Sequence, residues 1–155
     1  MSDLVPASLA ERDLEMFLRR QIPLARAMGL TVAESSARRL VLEAPLEPNR
    51  NHLGTAFGGS LHAVPTLACY AALWTLLREG GIDGHVVIKR SEVHYRQPVT
   101  GTIRAICERP AAARVAEFLS DLRRHKKARM DLAATVPGAD GKPAVEFAGR
   151  FVAVV

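Results

Sequence analysis

From Leu61 to Leu77 nearly every residue is apolar, and the run is framed by Gly58-Gly59 before it and Gly80-Gly81 after it. A helix over Gly58–Arg78 would be roughly 30 Å long at ~1.5 Å per residue. It would be hydrophobic on every side, so it must either cross a membrane or be covered by the rest of the fold. His62, Pro65, Thr66 and Thr75 interrupt it, and it falls short of the roughly 20 apolar residues that spanning requires. No second segment of this kind exists in the sequence. The run is therefore expected to be the buried centre of a soluble fold, with a local kink where Pro65 removes a backbone hydrogen bond.

The flanking sequence supplies the cover. Ser8 and Glu11 have the spacing of a capping box, and Leu14, Phe17 and Leu18 form one apolar stripe of a helix that Pro23 should end. A short turn over Leu24–Met28 closes on Gly29 in the left-handed role. Strands are expected over Thr31–Ser35, Arg39–Ala44, His85–Tyr95, Thr102–Glu108 and Lys127–Val136, with a last one alternating from Val145 to the end. Ala111–His125 reads as a helix with Val115, Phe118, Leu119 and Leu122 on one face, and Pro137–Pro143 as a loop between antiparallel strands. The expected fold class is α+β: one curved antiparallel sheet of about six strands wrapped around one long central helix, with an N-terminal helix. Residues 1–155 read as a single domain, with 1–29 as an N-terminal helical extension. A second copy of the chain is expected to cover what the sheet leaves open.

Charge and cysteine usage narrow the partners. Lys plus Arg is 21 against 16 for Asp plus Glu, a net charge of +5 that suits an anionic partner. Cys69 and Cys107 make no CxxC spacing, which excludes zinc ribbons and disulfide frameworks and suits a reducing cytoplasm. Met1–Arg20 has neither the apolar stretch of a signal peptide nor the acid-poor bias of a transit peptide. No metal-ligand spacing, Walker loop or dinucleotide fingerprint is present, so neither metal nor cofactor is expected. Aromatic residues are only 5%, and no helix-turn-helix or zinc finger is recognisable, so nucleic acid is not expected as a partner.

The chemistry centres on the start of the apolar helix. The first N–H groups of a helix have no internal partner, and the dipole adds positive charge there. Glycine at 58 and 59 would let an acyl carbonyl approach those amides and be stabilised as it becomes an oxyanion. The same pair could equally serve a tight turn and close packing. Asn51 could hold a water or fix the loop.

Asn51-His-Leu-Gly-Thr-Ala-Phe-Gly-Gly-Ser-Leu61, Val86-Val-Ile88, Tyr95-Arg-Gln-Pro-Val-Thr-Gly101 and Phe147-Ala-Gly-Arg-Phe-Val-Ala153, in this order around the helix, resemble the hotdog-fold thioesterase superfamily. The nearest likeness is to the thioesterase domain found alone or fused to bacterial GNAT-type acetyltransferases, and it spans about residues 8 to 155. The resemblance implies hydrolysis of acyl thioesters of coenzyme A or an acyl carrier protein by a dimer or dimer of dimers. It implies that the acyl group enters between subunits and that the thioester carbonyl sits at Gly58 and Gly59. Two departures stand out. Phe57 occupies a position where many hotdog thioesterases carry His, which makes the site more apolar. Thr66 occupies the position where many carry the catalytic Asp or Glu, and a hydroxyl is no strong base near neutral pH.

His62 is the replacement candidate, since it shares a helix face with the glycines and its ordinary pKa of about 6.5 suits general base work. Against that stands a core or interface histidine. Thr66 could position a water, and Glu92 could reach the site from the other subunit. Leu61 and Val64 are candidates for the wall of the acyl site, and Lys89, Arg90, Arg96 and Arg104 for phosphates of coenzyme A or an acidic carrier. The run from Arg123 to Arg129 reads as a solvated face, and Cys69 as buried and inert. Hydrolysis is the leading function. A non-catalytic acyl-thioester-binding module or sensor is the alternative, motivated by the missing carboxylate, and a hotdog dehydratase is a third reading.

Overall fold

A computed structural model describes residues 11–155. The Ser8 cap lies outside the described residues, and its expected partner Glu11 accepts the Ser35 N–H at 3.4 Å. Helix α1 (Glu11–Gln21) buries Leu14 and Leu18. It ends at Pro23, which opens the short helix α2 (Pro23–Ala27), where a missing N–H costs nothing. Gly29 then takes φ +70°. The chain continues through β1 (Thr31–Ser35), β2 (Arg39–Ala44), α3 (Gly58–Glu79), β3 (His85–Tyr95), β4 (Ile103–Glu108), α4 (Ala112–His125), β5 (Lys127–Pro137) and β6 (Pro143–Val154).

The six strands form one antiparallel sheet in the order β1-β2-β4-β5-β6-β3. Alternation on β5 sends Ala128, Met130, Leu132, Ala134 and Val136 inward, and Lys127, Arg129 and Asp131 outward. The inward face meets α3, which packs on β2, β3, β4, β5 and β6. Almost all of α3 between Val64 and Leu77 is buried, and the helix runs through Pro65 unbroken. By length and composition α3 could cross a membrane, but its apolar surface is already covered inside this fold. This is the hotdog architecture, with an N-terminal helix added. α1 contributes to the cover: the Phe17 ring stacks on Trp74 with centroids 3.9 Å apart, and the Arg78 guanidinium sits 4.8 Å over the same indole.

β4 meets β5 at Ile106↔Thr135, and α4 packs on β5, burying Phe118 and Leu122. Its basic C-terminal run is exposed, as a solvated face should be. Arg123 also donates to Gly80 O at 2.8 Å, satisfying a carbonyl at the end of α3. Cys69 and Cys107 are fully buried thiols. Burial pushes the Cys69 thiol well up, and the neighbouring Cys107 thiol adds to the shift.

β3 is an edge strand with an irregularity that matters. Ile88 pairs with Phe151 and Arg90 with Arg150, so Lys89 is an extra residue without a partner. Beyond this bulge the alternation is shifted by one. Ser91, Val93 and Tyr95 lie opposite Gly149, Phe147 and Val145 on the face toward α3, while Arg90, Glu92 and His94 lie on the other face.

Candidate active site

The loop before α3 is held from several sides. Asn49 is buried, and its Nδ2 donates to Met28 O at 2.9 Å and Pro45 O at 2.8 Å. Its carbonyl accepts the Phe57 N–H at 2.7 Å, and the Ala56 N–H donates to Val99 O at 2.8 Å. Asn51 folds the loop tip. Its Oδ1 accepts the N–H of Leu53 at 2.8 Å and of Thr55 at 3.1 Å, and its Nδ2 donates to Thr55 Oγ1 at 2.8 Å. These bonds fix the loop.

This loop delivers α3 with an unfilled amino end. Phe57 is the N-cap residue, and an aromatic ring offers no acceptor. Among the described residues no acceptor takes the N–H of Gly58, Gly59 or Ser60. These donors stand at the positive end of a 22-residue helix. Gly59 and Phe57 are exposed and Gly58 is partly so. The Phe57 ring leans over the Cα of Gly59, in the space a Cβ would occupy.

The first turns of α3 run beside the inner face of β3. The Tyr95 hydroxyl donates to Gly58 O at 3.2 Å. His62, one turn further on, has its Nε2 3.0 Å from Ser91 Oγ, and its ring centroid lies 5.8 Å from that of Phe147. Thr66 Oγ1 donates to His62 O at 2.8 Å, so its proton is engaged within the helix.

The structure thus brings Gly58, Gly59, His62 and Phe57 together and keeps Thr66 one turn behind them. Within one chain Arg90, Glu92 and Arg96 do not join. A regular strand would turn Arg90 and Glu92 to the same face as Val86 and Ile88, and the bulge at Lys89 turns them away. Arg90 and Glu92 border a depression of about 650 Å3 on the far face of the sheet, together with the Asp131–Arg150 pair. Glu92 is bound there to His94 at 3.2 Å, and Arg96 to Glu146 at 3.4 Å. Leu61 and Val64 are buried in the core. The exposed apolar surface beside the helix start comes from Phe57 and Tyr95, with Leu53 on the loop and Ile88 along β3. Sequence reasoning missed Tyr95 and Ser91 as neighbours of the site. The Tyr95-Arg-Gln-Pro-Val99 string was a signal for the first, and nothing in the sequence marked the second.

The family model described as "Putative thioesterase (yiiD_Cterm)" matches residues 11–155. The chain is similar to a solved protein of unknown function from Chlorobaculum tepidum, at 33% identity and a TM-score of 0.89, covering 96% of this chain and 98% of that one. It is similar to a solved "putative thioesterase" from Shewanella oneidensis, at 28% identity and a TM-score of 0.85, covering 94% and 97%. A Pseudomonas aeruginosa protein at 20% identity and a TM-score of 0.70, covering 94% and 96%, shares the fold.

Proposed function

The chain belongs to this thioesterase family, and from that premise we propose that it hydrolyses acyl thioesters of coenzyme A or an acyl carrier protein, with the carbonyl polarised by the first amides of α3. The observation that carries this reading is that the three N–H groups of Gly58, Gly59 and Ser60 have no acceptor among the described residues, behind a cap residue that cannot fill them. Donors fixed in place before reaction stabilise the oxyanion of a tetrahedral intermediate at no reorganisation cost, and each is worth about 10²–10³ in rate. His62 is the base in this reading, supported by its position one turn from those amides. The net charge of +5 supports an anionic carrier.

A second copy completes the site in this proposal. β3 pairs with β6 on one side, and among the described residues no strand pairs with its other edge. An 11-residue open edge with exposed Val87 and Ile88 invites pairing with its like, and a homodimer or dimer of dimers would close the cleft over Phe57 and Tyr95.

The test is release of free thiol from a panel of acyl-CoAs and carrier-bound acyl groups. Turnover by the wild type, with Gly59→Val losing about 100-fold or more, is the expected result. A wild type inert toward every thioester overturns the reading. One observation favours a binding module: Thr66, at the position where the hotdog resemblance implies a carboxylate, is a hydroxyl engaged with His62 O. Tight acyl-CoA binding by calorimetry without turnover would mark that outcome.

A further inference from the structure

We propose that Ser91 is the nucleophile of this site and His62 its general base, so that hydrolysis passes through an acyl-serine. The inference rests on the thioester-hydrolase reading above and adds the identity of the attacking group.

The geometry is specific. Ser91 Oγ is 3.0 Å from His62 Nε2, within the range of a nucleophile–base hydrogen bond. It is the one hydrogen bond that the imidazole makes among the described residues. A base that activates water directly needs a nitrogen facing that water, and the Nε2 of His62 faces the serine. Helical side chains lean toward the N-terminus, so the His62 ring tilts toward the turn that carries Gly58, Gly59 and Ser60. His62 lies one turn, about 5.4 Å of helix rise, from those amides, and the proposal needs one carbonyl to present its carbon to Ser91 Oγ and its oxygen to them.

The fold supports this placement of Ser91 in two ways. The bulge at Lys89 shifts the alternation of β3 so that Ser91 faces α3, and bulges of this kind commonly re-aim a side chain beside a site. Across the ladder stands Gly149, so no side chain from the paired position crowds the hydroxyl. The rings of Phe147 and Phe151 close over that glycine and leave an apolar wall beside the pair. Ser91 itself is only partly buried.

The chemistry balances with substrate and water alone. His62 Nε2 takes the Ser91 proton as Oγ bonds to the thioester carbon, and the oxyanion lies on the helix amides. The C–S bond breaks, and the leaving thiolate takes the proton from His62. Water then attacks the acyl-serine ester with His62 again accepting a proton. The acid leaves, and Ser91 Oγ is reprotonated.

Two readouts separate this proposal from the reading it rests on. The first is labelling of the intact protein by a fluorophosphonate, with the modified peptide identified by mass spectrometry. The second is thiol release from hexanoyl-CoA, with an acid quench to trap the acyl-enzyme. The expected result is a label and a hexanoyl group on Ser91, both lost in His62→Ala, and a drop in kcat/KM of about 100-fold or more in Ser91→Ala with an unchanged melting temperature. Hexanoyl-CoA hydrolysis with Ser91 unlabelled and Ser91→Ala within about threefold of wild type overturns the nucleophile and leaves the thioesterase. Labelling of Ser91 in a protein inert toward all thioesters does the reverse.

Discussion

A side chain at Gly59 would have to displace the Phe57 ring, because the two would share the same space. The ring is exposed and hinged on free torsions, so the fold can absorb the change while the approach to the amides cannot. Gly59→Ala is therefore expected to keep the melting temperature within about 2 °C of wild type and to lower kcat/KM at least tenfold. Equal loss of both would assign the glycine to packing. The cysteines make the opposite case, in which chemistry is suppressed by position. With Cys69 fully buried and its thiol pushed well up by desolvation, and Cys107 fully buried beside it, neither should react with a disulfide probe in the native protein. Both should react on unfolding, and a fast native thiol would contradict the packing of α3 on β4. At this scale the sequence was informative about residue type and poor about partners. Asn51 reads as water holder or loop former, and its four bonds to Leu53, Thr55 and Ala56 could not be read from the sequence.

The β5–β6 ladder sets how the outer face responds to pH. Arg150 donates from Nε and Nη2 to Asp131 at 2.8 and 3.0 Å, and this bonding holds the Asp131 carboxyl below the usual carboxylate range. A lowered native pKa adds stability that is complete above the ordinary value of about 3.9 and is lost as pH falls through the lowered one. Asp131→Asn should flatten that acid limb of a melting-temperature profile. At neutral pH it should cost no more than about 1 kcal/mol, since the pair is largely exposed. The same ladder is less tolerant on its inner face. A Cβ on Gly149 would meet the Phe151 ring at 2.8 Å and the Phe147 ring at 3.0 Å. Gly149→Val should cost about 1–3 kcal/mol by overpacking, measured by denaturant unfolding. Element types and bounds were legible in the sequence because hydrophobic period depends only on local order: the apolar run became α3, and the alternation of 127–136 became β5. The bulge at Lys89 was not legible. It is a property of pairing with β6, and it alone moved Arg90 and Glu92 off the face where regular alternation would put them.

Assembly belongs to the whole molecule. If two copies pair through β3, Val87→Lys together with Ile88→Lys should convert the wild-type dimer to monomer in light scattering at micromolar concentration. A dimer that survives both charges uses another surface. The hotdog architecture could be reasoned from composition and period, because a helix apolar on all sides has few ways to be covered, and a curled antiparallel sheet is one of them. The sequence by itself therefore determined which segment would be central, which strands would surround it, and that a glycine pair would open the helix. Tertiary structure decided which side chains meet there. It set Ser91 against His62 and Tyr95 against Gly58, and it left three amides without acceptors among the described residues. The reason is physical: burial period is encoded within a few residues of each position, whereas register, bulges and the juxtaposition of residues 29 or 37 apart depend on how separate elements dock.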